Sequence, residues 1–390
     1  MFDLNPILGK QMSNSRIYLS QTHLSGLENS YIEKAFSSNL IAGSGENNTE
    51  LENSLENYLN SNSNVAVLNS GTAAIHLGLI LLNVKRDDVV ICQSMTFSAS
   101  ANPILYLGAT PVFVDSELET WNMCPVFLEK AINDQISKGK KPKAIIAVHL
   151  YGMPYKVDEI NAIANKYKIP ILEDSAEALG SAYKGQKCGT FGNIGIFSFN
   201  GNKIITTSGG GALVSNDISI KNKAIFLATQ ARDNAPHYQH SELGYNYVMN
   251  NISAGIGCAQ LKQLENRIES RRNMHQFYID VFKNSNGVEI FCEPNSNYFS
   301  NYWLTALLID SEKTMGKTRE DLRLFLEKSN IESRPLWKPM HLQPIFESYP
   351  YYGNKISENL FKNGLCLPSS SNLKTEEKNR IKEQIQLFFQ

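Results

Sequence analysis

No run of about eighteen apolar residues occurs along the chain, so no segment reads as a membrane-spanning helix, and no early apolar stretch resembles a signal peptide. The six cysteines, Cys92, Cys124, Cys188, Cys258, Cys292 and Cys366, stand singly. Without CxxC pairs or a dense framework they form neither a zinc site nor a secreted disulfide scaffold. An excess of charge is missing too. A formal net charge of −1 provides no whole-protein field to attract nucleic acid or anionic lipid, so any phosphate must be recognised locally. No GxGxxG follows the first strand, and Gly209-Gly210-Gly211 comes late and precedes a strand, which argues against a dinucleotide fold. Fixed-period repeats and low-complexity tracts are absent, although Asn and Ser are plentiful in the loops. These absences predict a soluble cytoplasmic protein with no metal, membrane or nucleic-acid partner.

What is present is a globular composition, 42% hydrophobic and 19% charged over 390 residues. That length exceeds one ordinary core and predicts two lobes. Short β-branched runs alternate with helix-period segments, the rhythm of an α/β fold with a mostly parallel sheet. Strands are expected at 65–68, 89–91, 111–114, 144–148, 169–172, 195–199 and 212–214. Leu51, Leu55, Tyr58 and Leu59 mark one helix stripe before polar Asn60-Ser61-Asn62. A second helix opens after Asn69-Ser70-Gly71-Thr72, and Val157, Ile160, Ile163, Ala164 and Tyr167 mark a third. Beyond about residue 265 the texture changes to a charged helix over 260–282, shorter elements, and a final helix after Thr375 that buries Ile381, Ile385 and Phe388. The expected division is therefore 1–265 for a large domain with its N-terminal segment and 266–390 for a smaller α+β domain.

Four features fit an aldehyde cofactor held on such a scaffold: a lysine, an acid for a ring nitrogen, a phosphate cup and a flat face. Lys203 follows the apolar strand in Phe197-Ser198-Phe199-Asn200-Gly201-Asn202-Lys203, where an amine nucleophile can be kept apart from bulk water. Asp174 ends the run Ile169–Leu172 at the carboxyl edge where α/β sheets collect ligands. Alone, it would serve equally well as a helix cap. Gly71 and Thr72 open a helix whose first N–H groups suit a phosphate, and Ser198 could add a hydroxyl. Phe97 follows another strand end, where a ring could stack on the cofactor or simply pack in a core.

Together these residues resemble the DegT/DnrJ/EryC-type sugar aminotransferases, pyridoxal-phosphate (PLP) enzymes of fold type I, over nearly the whole chain. The segment Ser198-Phe199-Asn200-Gly201-Asn202-Lys203 is similar to the family's Schiff-base lysine motif. The resemblance implies that Gly71 and Thr72 hold phosphate, that Phe97 stacks on the ring, that Asp174 meets the ring nitrogen and that Glu177 lies beside it. Gly244-Tyr245-Asn246-Tyr247 resembles a segment in which Asn246 reaches the neighbouring subunit's phosphate, implying a homodimer with a shared site. Ala231-Arg232-Asp233, Pro236–His240 and Glu332–His341 point to enzymes that act on a UDP-linked 4-keto-6-deoxy-N-acetylhexosamine, with L-glutamate as donor. There Arg334 and Lys338 could meet a diphosphate and Trp337 a base or sugar face, with His341 beside them. Asn39-Leu40-Ile41-Ala42-Gly43-Ser44-Gly45 and Tyr247-Val248-Met249-Asn250-Asn251 depart from the family's usual wording. The first of these departures falls in a loop expected to touch the sugar. Competing expectations are transfer to C3, a dTDP carrier, and an inert nucleotide-sugar binder on the same fold. A sugar dehydratase is disfavoured because its members carry histidine at the position of Lys203.

Overall fold

Alternation along single strands builds the architecture. In the computed structural model, which describes residues 15–43, 45–59 and 62–390, Val89 and Ile91 point into one core while Val90 and Cys92 point into another. Ile145 and Ala147 likewise face opposite to Ile146 and Val148. A strand with two buried faces needs apolar residues at every position, which is why the runs Val-Val-Ile-Cys and Ala-Ile-Ile-Ala-Val read as continuous. Ser44, Asn60 and Ser61, which belong to the departing loop and to the expected polar helix end, lie outside the described residues.

The strands β1 (Asn64–Leu68), β2 (Val89–Gln93), β3 (Thr110–Val114), β4 (Ala144–Val148), β5 (Ile171–Asp174), β6 (Ile194–Ser198) and β7 (Gly211–Ser215) enter one large sheet. A second sheet contains β8 (Val288–Ile290), β9 (Thr305–Ile309), β10 (Arg334–Pro335) and β12 (Gly364–Leu367), while β11 (Tyr351–Tyr352) returns to the first. The large sheet has eight strands in the order β1-β7-β6-β5-β4-β2-β3-β11. Pairing is parallel from β6 through β11, whereas β7 runs antiparallel to both its neighbours. The fold is thus the expected α/β class with a mostly parallel sheet. The smaller sheet, β8-β9-β12-β10, is antiparallel throughout.

Two details modify the expected division. Ile17 bridges to Ile331 and is buried with Tyr278, Leu307, Leu326 and Ile381 in the core of the smaller lobe. The N-terminal segment therefore packs with the C-terminal half, while β11 crosses back to the large sheet, so no single cut separates the lobes. The expected helix over 260–282 is also two helices, Asn251–Leu261 and Leu264–Phe282. Asn250 caps the first by accepting from Ser253 N–H at 2.8 Å. Gly255 and Gly257 hid it from a propensity reading, yet they allow close packing: a Cβ would lie 2.6 Å from Asn47 Nδ2 and 2.7 Å from Leu51 Cδ2 respectively.

Replacing Ile17 with Ala should cost about 2–5 kcal/mol of unfolding free energy, measured by urea denaturation. A loss near zero would mean that the N-terminal segment is not part of that core.

Candidate active site

The carboxyl ends of β1, β2, β5 and β6 open onto one cavity of about 300 Å³, lined among others by Gly71, Phe97, Asp174, Glu177, Ser198 and Lys203. Thr72 lines it as well. These residues from separate stretches of sequence thus converge on one space, as expected at this edge of an α/β sheet.

The helix Gly71–Leu81 begins directly after β1, with Ser70 as its cap accepting from Ala73 N–H at 3.1 Å. A Cβ at Gly71 would lie 2.9 Å from Ser198 Cβ and 3.3 Å from its Oγ. Glycine therefore brings the helix N-terminus against the Ser198 hydroxyl, and the two form a cup for an anion. Gly209 and Gly210 complete the rim.

Asp174 is buried at the end of β5. Its Oδ2 accepts from Ser100 Oγ at 2.6 Å and its Oδ1 from Ala176 N–H at 3.1 Å. Ser100 and Thr96 hydroxyls lie 2.7 Å apart, extending the network. Burial pushes the carboxyl above its usual range, against the opposing effects of Ser100, Ala176 and the nearby Lys203 charge. Asp174 has no ion-pair partner among the described residues, so a cationic ring N–H in the cavity would relieve an electrostatic demand already present. The acid, lysine, anion cup and exposed ring fit PLP in chemical kind.

Lys203 follows β6 and places Nζ 3.4 Å from Glu177 Oε1 and 4.2 Å from the centre of the Trp303 ring. Glu177 is buried, with Oε2 accepting from Tyr151 N–H at 2.7 Å. Burial raises its pKa, and the Lys203 charge works against that rise. Tyr151 has a left-handed backbone, φ 55°, an uncommon conformation for a bulky residue. That geometry directs its N–H to Glu177. Phe97 is 53% exposed despite its size and lines the cavity, tilted against Trp337 at 5.4 Å between ring centres. It is therefore a ring presented to the cavity, and core packing does not account for it.

Several contributors escaped the sequence reading. Trp303 Nε1 donates to the Asn202 carbonyl at 2.8 Å, and Ser20 Oγ donates to the same oxygen at 2.6 Å. Arg271, fully buried, donates to the Trp303 carbonyl and to Ser20 Oγ. These contacts brace the loop that carries Lys203. Their partners are far apart in sequence, and the only available signal was an isolated Trp in Asn301-Tyr302-Trp303.

The substrate candidates separate. Trp337 lines the first cavity and also an adjoining one of about 390 Å³ that contains Arg334. Lys338 and His341 line neither cavity. The His341 ring lies 2.7 Å from Ser94 Oγ through Nδ1 and stacks on Tyr351 at 3.7 Å, which fastens the segment after Trp337 to the end of β2. Its Nε2 lies 3.5 Å from Glu358 Oε1, so both ring nitrogens of His341 face protein groups. Asn246 does not line its own chain's cavity either. Its side chain is exposed, and its backbone carbonyl accepts from Asn69 Nδ2 at 3.1 Å.

One buried trio, His149, Glu173 and Cys188, has ligand-type atoms within 4.8 Å of one another. Glu173 already accepts from His149 Nε2 at 2.7 Å and from the N–H groups of Gly189, Phe191 and Gly192. His149 Nδ1 accepts from Tyr155 N–H at 3.2 Å. Glu173 thus pins the 189–192 loop, and His149 is held between Glu173 and the Tyr155 backbone.

Comparisons with known proteins agree with this chemistry. Residues 23–386 match the model of the DegT/DnrJ/EryC1/StrS aminotransferase family. EpsN of Bacillus subtilis, provisionally assigned as a pyridoxal phosphate-dependent aminotransferase, is 50% identical over 96% of both chains. A GDP-perosamine synthase of Escherichia coli O157:H7 is 37% identical over 95% of this chain and 97% of its own. The UDP-4-amino-4,6-dideoxy-N-acetyl-beta-L-altrosamine transaminase of Campylobacter jejuni is 28% identical, covering 91% and 92%. Among solved structures, the PLP form of a Streptococcus pneumoniae protein assigned as a sugar aminotransferase superposes with a TM-score of 0.87 at 27% identity, covering 96% and 98%.

A Gly71→Ala exchange should weaken PLP binding by about tenfold or more, the scale of a lost charge-assisted hydrogen bond, while circular dichroism stays native. Unchanged affinity in a fluorescence titration would remove the cup from the site.

Proposed function

The chain belongs to the DegT/DnrJ/EryC1/StrS aminotransferase family and uses pyridoxal 5′-phosphate, and from that premise we propose that it moves an amino group from L-glutamate to C4 of a UDP-linked 4-keto-6-deoxy-N-acetylhexosamine. The observation that carries the reading is the meeting of Lys203 and Asp174 in one cavity with the Gly71 anion cup. Support for the sugar comes from the motifs around Arg232–His240 and Glu332–His341 and from the Campylobacter relative's activity. A second reading, a GDP-linked keto-sugar, is favoured by the higher identity of the perosamine synthase.

When bound, the cofactor supplies an aldehyde to receive nitrogen and a ring that withdraws electrons from the carbon being deprotonated. In the proposed mechanism Gly71 and Thr72 N–H groups and Ser198 Oγ hold its phosphate, and Phe97 packs on its ring. Asp174 would stay ionised and keep the cofactor's ring nitrogen protonated. Lys203 Nζ would hold the cofactor's aldehyde carbon. When free, Lys203 Nζ would act as the base that moves the proton of the donor's α-carbon. Glu177 accepts a hydrogen bond from Nζ and keeps it close to that path. With the keto-sugar as acceptor, the same amine would return a proton at C4. Trp337 and Arg334 face the substrates from the smaller lobe.

The site is proposed to be completed by a second copy, whose Asn246 side chain would reach the phosphate. An exposed Asn246 outside its own cavity supports that arrangement. Co-expression of Lys203→Ala chains with Asn246→Asp chains should then restore activity that neither variant homodimer has, because one mixed site is fully wild type. No recovery in a purified mixed dimer would place Asn246 elsewhere.

The function itself is tested by incubating protein, PLP and glutamate with UDP-, GDP- and dTDP-linked 3-keto and 4-keto sugars, with products identified by mass spectrometry and NMR. The expected product is a 4-amino UDP-sugar, and Lys203→Ala should lose at least about 10²-fold in turnover. Exclusive turnover of a GDP-sugar would establish the second reading, and full activity of Lys203→Ala would refute both.

A further inference from the structure

We propose that the second cavity is the subsite for a carboxylate of the amino-acid donor, with Arg334 as its ligand; the inference rests on the aminotransferase reading above. Glutamate carries two carboxylates, and each must exchange water for cations or N–H donors on entering the protein. Among the residues lining the two cavities, the side-chain cations are Lys203 and Arg334. Lys203 is engaged with the reacting amine, which leaves Arg334.

The position of Arg334 suits this task. It lies on β10 opposite Cys366 of β12, and the two cavities share Asn202, Trp303 and Trp337 as a common wall. Its Nε and Nη2 both contact Oε1 of Glu332, at 2.9 and 2.8 Å. Glu332 is itself fixed, since its Oε2 accepts from Leu19 N–H at 3.0 Å. The guanidinium has no other partner among the described residues, and its side chain is 65% exposed. One edge of the fork is thus positioned by a carboxylate the protein supplies, and the remaining N–H groups can take a carboxylate from a ligand in the planar geometry that guanidinium favours. Trp337 adds an indole N–H that is buried without a partner at the shared wall.

Charge balance selects a carboxylate over the diphosphate first expected for Arg334. Glu332 already offsets the one guanidinium, so a diphosphate would bring two or more negative charges to a subsite with no surplus of positive charge. A single carboxylate imposes half that load or less and can share the fork with Glu332. In a reaction whose donor product leaves before the acceptor arrives, the subsite is then free for the next substrate.

Calorimetry of the PLP-loaded protein tests the proposal with glutarate, a dicarboxylate that has no amine, and separately with UDP and GDP. R334Q should weaken glutarate binding about tenfold or more, leave nucleoside diphosphate binding unchanged, and raise by a similar factor the glutamate concentration that half-converts the cofactor's visible absorbance. R334K should recover part of the glutarate affinity. Equal glutarate binding by R334Q and wild type, no glutarate binding by either, or loss of UDP or GDP binding with glutarate retained would each overturn it. A wild-type spectrum that ignores every amino acid would refute the aminotransferase reading itself. A wild type that responds to glutamate, alongside an R334Q that responds identically, would refute only the assignment of Arg334.

Discussion

A carboxylate buried without a cation of its own sets the terms for this site. Asp174 sits where β5 leaves the core, hydrogen-bonded by Ser100 and the Ala176 backbone but in no ion pair among the described residues. Such a group is costly to keep ionised unless something charged arrives. Val148, Ala176 and Ile196 line the same place with apolar surface. A protonated pyridine ring satisfies the acid and fills the apolar space together. In the proposed function, the Gly71 cup and Lys203 would set which way that ring lies.

The lysine depends on both lobes. Lys203 belongs to the large sheet by sequence, but the loop carrying it is braced from the smaller lobe. Trp303 and Ser20 hold the Asn202 carbonyl, and buried Arg271 holds Trp303 and Ser20 in turn. Tyr151 spans the same boundary, with its N–H on Glu177 and its hydroxyl oxygen accepting from Trp337 N–H at 2.8 Å. A change in how the lobes meet would therefore move the amine, its acidic neighbour and the cavity-lining Trp337 together. This coupling gives the smaller lobe a direct part in positioning the chemistry.

Much of this was legible in the sequence because its causes are local. A β-branched run followed by Asp174, or by the Ser198–Lys203 segment, places a side chain at a sheet edge whatever the distant contacts are. Phe97, Gly71 and Ser198 followed from the same rule. Contacts that close over long sequence distances were not legible: the bracing of Asn202 by Trp303, Arg271 beneath it, and the return of Ile17 to the C-terminal core. The helix Asn251–Leu261 was obscured by glycines retained for close packing. The contacts of His341 with Ser94 and Tyr351 likewise join distant segments and were not legible in the sequence.

The most direct test of the central claim is a crystal structure of the protein loaded with PLP. The account predicts the Asp174 carboxylate within about 3 Å of the pyridine nitrogen, hydrogen-bonding distance, with Lys203 Nζ joined to the aldehyde carbon of the same molecule. A cofactor whose ring nitrogen faces away from Asp174, or whose aldehyde carbon lies on another lysine, would contradict it.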